Sequence, residues 1–327
     1  MTGTRRGAST RGRSVRTRET TRREGDRDVK TITSDGRVLL LRTCHADGTA
    51  HGGFQWPLEV GATVEAPDWD PSPRCGGGLH GLPWGLGDAT LLNWSPEAVG
   101  IVFSAAAQEV VDIDGAKSKV RAARVEFVGP LKAAAEWLYS QQDDRTRVGV
   151  CGTASAGAGG TASAGYRGHA IVGEGGTASA GYDGTAIAGA GGTAIALGEG
   201  TAIAGDRGTA SAGTDGRASA GEDGRASAGY CGHAIAGTDG HASAGDRGHA
   251  IVGEGGTASA GSRGHASAGI GGRARAGDGG TISIERWDGL RYRRLAAAVG
   301  DEGGLKPGVT YRLDDAGAFV EVPADPQ

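Results

Sequence analysis

From Gly152 to Gly279 the chain repeats an eight-residue unit sixteen times without an insertion, on the consensus Gly-[Thr/His/Arg]-Ala-[Ser/Ile]-Ala-Gly-x-x. A short fixed period dictates a stacked architecture before local propensity is considered. Each unit holds a four-residue run, such as Thr153-Ala154-Ser155-Ala156, between glycines. Side chains of a strand alternate between its two faces. The third and fifth positions are Ala almost throughout, with Val172 and Val252 as larger exceptions, so they belong inside. The second and fourth positions carry Thr, His, Arg, Ser or Ile and belong outside. At Ile282 and Ile284 both inner positions enlarge, as expected where a thin core widens into a cap.

Eight residues cannot close a coil, whereas two short strands and two glycine corners can. The sequence supports a sixteen-residue coil independently: Tyr166, Tyr182 and Tyr230 are separated by multiples of sixteen. Five outward isoleucines (Ile171, Ile187, Ile203, Ile235, Ile251) fall in the other set of units, with Ile195 as the exception. The expected fold is therefore mainly β, a two-sided β-solenoid with 16 residues per coil, eight coils and roughly 38 Å of rod. Glycine is expected at the corners because it tolerates positive φ. Leu197 takes a corner position with Gly198 behind it, which predicts a local bulge. Glycine supplies 64 of 327 residues, a composition otherwise typical of flexible linkers. A linker has no reason to keep register over 128 residues or to sort Tyr and Ile by coil parity.

Four parts follow from the composition. Residues 1–28 hold nine Arg against four acids and almost no large apolar side chains. They read as a solvated Arg-rich tail, the one segment suited to nucleic-acid phosphates. Residues 29–147 read as a small α+β capping domain. Its strands are expected at Val38–Thr43, Thr63–Ala66, Gly100–Ser104, Glu109–Ile113 and Lys119–Phe127, and its helix at Pro130–Gln141. The segment 67–96, rich in Pro, Gly and Trp, reads as mostly loop. Residues 148–283 form the solenoid, and 284–327 a β-rich cap with hairpin turns at Trp287-Asp288-Gly289 and Asp314-Asp315-Ala316-Gly317. No apolar run reaches membrane-spanning length. Four irregularly spaced cysteines favour a reducing, cytoplasmic setting.

Gly53-Phe54-Gln55, Gly78-Leu79-His80 and Asp114-Gly115-Ala116-Lys117-Ser118-Lys119-Val120 resemble the N-terminal domain of an uncharacterised family of phage and bacterial octapeptide-repeat proteins. Leu305-Lys306-Pro307-Gly308-Val309-Thr310-Tyr311-Arg312 is similar to that family's C-terminal segment. The resemblance implies the same cap–repeat–cap order and a virion-associated setting, and it carries no activity. The cysteine expected soon after His80 is missing. The repeat itself resembles the octapeptide halves of bacterial ice-nucleation proteins, which implies sixteen-residue coils.

The candidate functional residues are outward ones. Thr161/Ser163, Thr177/Ser179, Thr193/Ile195 and Thr209/Ser211 give a hydroxyl-bearing face over four coils, suited to ordering water, until Arg225, His241 and Arg273 interrupt it. His233, His249 and His265, sixteen apart, are expected to stack, with His169 further along the same face. Stacked imidazoles could share a metal, but ladder spacing is awkward for tetrahedral ligation and no thiol or carboxylate joins the column. Tyr166, Tyr182 and Tyr230 complete the outward set. Cys44, His45, Cys75 and His80 match no standard zinc spacing, and no phosphate loop, dinucleotide fingerprint or serine elbow is present. The sequence thus points to a non-enzymatic rod without cofactor, monomeric or end-capped, presenting Thr/Ser and His/Ile ladders to a macromolecular partner. Ice binding is the alternative, and a catalytic N-terminal domain the remaining one.

Overall fold

The computed structural model describes residues 33, 35–142, 147–300 and 304–323. The Arg-rich segment 1–28 lies outside these residues. The N-terminal part is one antiparallel sheet of β1 (Arg37–Cys44), β2 (Thr63–Glu65), β3 (Leu79–Pro83), β4 (Val99–Ala106), β5 (Val111–Ile113), β6 (Lys117–Val120) and β7 (Ala122–Pro130), followed by α1 (Leu131–Ser140). The strand order is β2-β7-β4-β1-β3-β6-β5. The apolar run Val38–Leu41 is buried because β1 is central, paired with β4 on one side and β3 on the other. The helix lies directly on β4: a Cβ on Gly100 would stand 2.8 Å from the Ala134 methyl.

One expectation for this sheet needs correction and one needs an addition. The segment 67–96 is mostly loop, but within it Leu79–Pro83 forms β3 between β1 and β6. The strand shows no clean alternation, since Leu79, Gly81 and Leu82 are all buried, so its sequence pattern gives little sign of it. The single strand expected over Lys119–Phe127 is two strands, broken at Arg121. β6 pairs with β3 and β5, whereas β7 pairs with β2 and β4.

The repeat folds as the expected two-sided β-solenoid. The parallel pairs between octad strands join residues sixteen apart, as in Thr161↔Thr177 and His169↔Thr185, except Tyr182↔Leu197, which is fifteen apart. One face runs from Thr153–Ala156 to Thr281–Trp287, and the other from Thr161–Ala164 to Arg273–Arg275. The inner alanines are buried, from Ala154 at 0 % to Ala276 at 1 % exposure, save the half-buried Ala156 of the first octad, and no Thr or Ser of the octads turns inward in their place. Methyl burial this thin does not offset the backbone entropy of a coil. The coil-to-coil hydrogen bonds must contribute much of the rest. They continue through the corners: the His169 amide donates to the Gly152 carbonyl at 2.8 Å and the Arg167 amide to the Tyr182 carbonyl at 3.0 Å.

Glycine's role at the corners differs from the expected one. The left-handed residue of each corner is the eighth, filled by Asp183 (φ 59°), Arg207 (φ 57°), Cys231 (φ 55°) or a glycine such as Gly175 (φ 65°). The glycines at position one, and those at position six other than Gly157 of the first octad, answer to close approach. A Cβ on Gly181 would stand 2.7 Å from the Gly165 carbonyl carbon, and one on Gly184 2.8 Å from the Gly168 oxygen. Leu197 occupies the sixth position, and the bulge predicted there is present. Its strand extends to Leu197, which pairs with Tyr182 across a register shift, and the positive φ moves to Gly198 (56°).

Both ends of the stack are closed by other structure. At the N-terminal end the Tyr139 hydroxyl of α1 donates to the Val150 carbonyl at 2.9 Å. At the C-terminal end Tyr292–Ala298 pairs antiparallel along Thr281–Trp287, while Tyr311–Leu313 pairs with the last strand of the other face and with Phe319–Glu321. One apolar core continues from the N-terminal sheet through the alanines to Ile282, Ile284 and Tyr311.

Candidate functional site

Alternation in the four-residue strands turns every second and fourth octad position outward, and the sixteen-residue offset lines these positions into columns. On one face Thr161, Thr177, Thr193 and Thr209 stand in register, with Ser163, Ser179, Ile195 and Ser211 two residues along. Neighbours in a column are about 4.8 Å apart and the two columns about 6.8 Å apart, so eight side chains form a regular grid. The next coils put Arg225, His241 and Arg273 in the threonine column, with Thr257 between them, and Arg275 at the end of the serine column.

The opposite face carries Thr153, His169, Thr185, Thr201, Arg217, His233, His249, His265 and Thr281 in one column. Isoleucines 171, 187, 203, 235 and 251 occupy the adjacent one, interrupted by Ser219. His233 and His249 stack face to face, ring centroids 4.9 Å apart and 4° from parallel. His249 and His265 are 6.0 Å apart and tilted by 54°. Partial burial holds the His233 and His265 rings below the usual imidazole range, and the His249 ring adds to this, with Arg217 beside the first and Arg294 beside the second. Among the described residues, no three His, Cys, Asp or Glu side chains gather as a metal ligand set.

The three tyrosines divide. Tyr166 and Tyr182 stack at 5.9 Å and 8°, and Tyr166 also meets Trp94 of the N-terminal part at 4.6 Å. Arg167 lies over both Trp94 and Tyr166 and pairs with Asp183 at 2.9 Å. This cluster joins cap to rod, so Tyr166 is committed to packing. Tyr230 stands apart, 46 % exposed, with Arg247 over its ring at 5.8 Å. Trp94 was the partner that the sequence concealed, since nothing in its loop-like surroundings marks it as opposite Tyr166.

Cys44, His45, Cys75 and His80 do not assemble into one site. Cys44 is buried at the end of β1, where burial pushes its thiol above the usual range. Cys75 is exposed and accepts a 3.1 Å contact from Lys117 Nζ.

No family model matches the chain, and no solved structure matches it. Among curated proteins it is 33 % identical over 127 residues to ice nucleation protein InaA of Pantoea ananas, covering 38 % of this chain and 9 % of that protein. It is 31 % identical over 109 residues to an ice nucleation protein of Pseudomonas syringae, covering 33 % and 9 %. A third, from Xanthomonas campestris pv. translucens, is 32 % identical over 103 residues, covering 31 % and 6 %. The chain thus spans less than a tenth of the length of these relatives, and the likeness supports an ice-nucleation-like repeat in a β-solenoid.

Proposed function

We propose that this protein is a non-catalytic rod whose four-coil hydroxyl face orders water and adsorbs to ice. The observation that carries the reading is the in-register grid of Thr161, Thr177, Thr193 and Thr209 beside Ser163, Ser179, Ile195 and Ser211. A β-ladder fixes the spacing in both directions, so the bound water layer would be ordered without reorganisation of the protein. The relatives named above are ice nucleation proteins, and the stretch shared with them is a small fraction of their length. A face of four coils is far smaller than a long template, so adsorption to existing crystals is the expected behaviour rather than efficient nucleation. The test is inhibition of ice recrystallisation at micromolar protein, compared with a Thr177→Lys/Thr193→Lys variant. Inhibition that the double substitution removes supports the face. No inhibition by the unaltered protein sinks it.

A second reading rests on the stacked His233–His249 pair and the exposed Ile235 and Ile251 beside it. Here the rod presents the histidine face to a macromolecular partner, and the octapeptide-repeat resemblance would set that partner in a virion. Capture of a partner that is lost when His233, His249 and His265 are replaced together favours this reading. Undiminished capture counts against it.

A further inference from the structure

The N-terminal sheet holds a cleft of about 880 Å³ beside β1 and β3, with no residue of the rod in its lining. Its walls include Leu41, Phe54, Trp56 and Leu92, with Gly76-Gly77-Gly78 along one edge. Three buried nitrogens of its lining residues have no hydrogen-bond partner in the protein: Arg42 Nε, Trp56 Nε1 and His80 Nε2. They belong to one contiguous group. The Arg42 guanidinium lies 4.4 Å from the Trp56 ring centroid and its Nη1 donates to the His80 carbonyl at 3.3 Å. Trp56 is itself fixed, 1 % exposed and packed on Phe103 at 5.0 Å. Buried polar groups without partners are uncommon, and two such N–H groups and one imidazole nitrogen on residues lining a concave, largely apolar surface point to the polar end of a ligand.

The charges select the ligand. Arg42 and Lys117 line the cleft, Lys119 lies behind its glycine edge with its Nζ on the Arg74 and Gly76 carbonyls, and Asp68 is the acid among the lining residues. Arg42 Nε and Trp56 Nε1 are donors only. We propose that this cleft binds a small organic carboxylate with an apolar or aromatic body, its oxygens taking the N–H groups of Arg42 and Trp56. The body would rest on Leu41, Phe54 and Leu92.

His80 makes the binding proton-linked. Burial, with Lys117, Lys119 and Arg42 nearby, brings its ring down to about 4, and its remaining nitrogen is engaged by the Gly78 backbone. Asp68, Cys75 and His51 are the other titratable residues lining the cleft. An uncharged ring offers a lone pair at Nε2, and a protonated one offers a donor. A carboxylate seated beside it favours the protonated ring, so the complex holds more proton than the free protein and affinity rises as pH falls.

The test is titration of the full chain, labelled with nitrogen-15 in its tryptophan indoles, with sodium benzoate, benzamide and inorganic phosphate. Trp56→Phe identifies the Trp56 indole signal. Benzoate should shift it saturably and benzamide should not, which separates charge from shape. Phosphate should bind at least about tenfold more weakly than benzoate, and Arg42→Gln should cost roughly tenfold or more, as for a lost charged hydrogen bond. Benzoate binding should tighten as pH falls from about 6.5 towards 5, between the ordinary imidazole value and the lowered value of the free protein. The comparison of benzoate with benzamide and its pH dependence need only the unaltered chain, so they decide the matter even if a variant fails to fold. No saturable shift by about 10 mM benzoate, equal response to benzamide or phosphate, or pH-independent affinity overturns the proposal.

Discussion

The Tyr182 ring lies across Gly198 so closely that a Cβ on that glycine would stand 2.1 Å from its Cδ2. The tyrosine is held there from both sides: it stacks on Tyr166, and its hydroxyl meets the Glu199 carboxylate at 2.6 Å. Gly198 also carries the corner's positive φ of 56°. Gly198→Ala should therefore lose about 1–2 kcal/mol to backbone strain alone, plus the cost of displacing the ring. In a Tyr182→Ala background only the strain should remain. Thermal or denaturant unfolding of the two single variants and the double variant measures the coupling. Additive losses would show that ring and glycine do not depend on one another.

The histidine column makes stability depend on pH in a known direction. His233 and His265 are held below the usual imidazole range by burial and by their neighbours, the His249 ring acting on both. The unfolded chain binds protons from about pH 6.5 downward, before the folded chain does. Stability is therefore full above that pH and is lost as pH falls through the lowered folded-state values. Replacing His233, His249 and His265 together by Thr, the residue at Thr185 and Thr201 of the same column, should flatten the melting temperature between about pH 7.5 and 5. An equal acid-induced drop in both proteins would place the titrating groups elsewhere.

The parity of Tyr and Ile and the inward alanines were legible because the repeat states each one several times and a period-two strand leaves little choice of face, and the displaced Leu197 was legible as the one break in that regularity. The corner was less so. Sequence shows glycine at positions one and six, and only the stacking distance shows that their constraint is close approach rather than φ. Position eight hides its left-handed backbone behind Asp, Arg and Cys. The N-terminal cleft was least legible. Arg42, Trp56 and His80 come together through β1, the loop after it and β3, and β3 was concealed by its surrounding glycines and prolines.

The interior should tolerate added volume at one position and not the other. Valine occurs at the fifth octad position, where Val172 and Val252 are buried at 4 % and 5 %. Within the octads the third position is always alanine, as at Ala202, which is fully enclosed at 0 %. It enlarges only at Ile282, in the last coil, where an antiparallel strand covers the end. Ala204→Val should change stability by less than about 0.5 kcal/mol, whereas Ala202→Val should cost about 1–3 kcal/mol through overpacking. Equal costs in unfolding experiments would mean that the two columns have the same room, and that the valines are placed by chance.

The C-terminal cap is expected to act as a stop. Thr281–Trp287 already accepts an antiparallel neighbour along its whole length, from Thr281↔Ala298 to Trp287↔Tyr292. The last strand of the other face does the same more briefly, at Ala274↔Tyr311. A chain ending at Trp287 would leave both edges open, side by side, with Ile282 and Ile284 exposed at the end of the core. Unpaired edges of this kind template further pairing. Because antiparallel pairing is the mode these edges accept, two truncated molecules should join through their C-terminal ends, before or alongside longer aggregates. Light scattering after size exclusion should then report a concentration-dependent dimer for the truncated chain under conditions that leave the full chain monomeric. A truncated chain that stays folded and monomeric at the same concentrations would show that the cap has some purpose other than closing the stack.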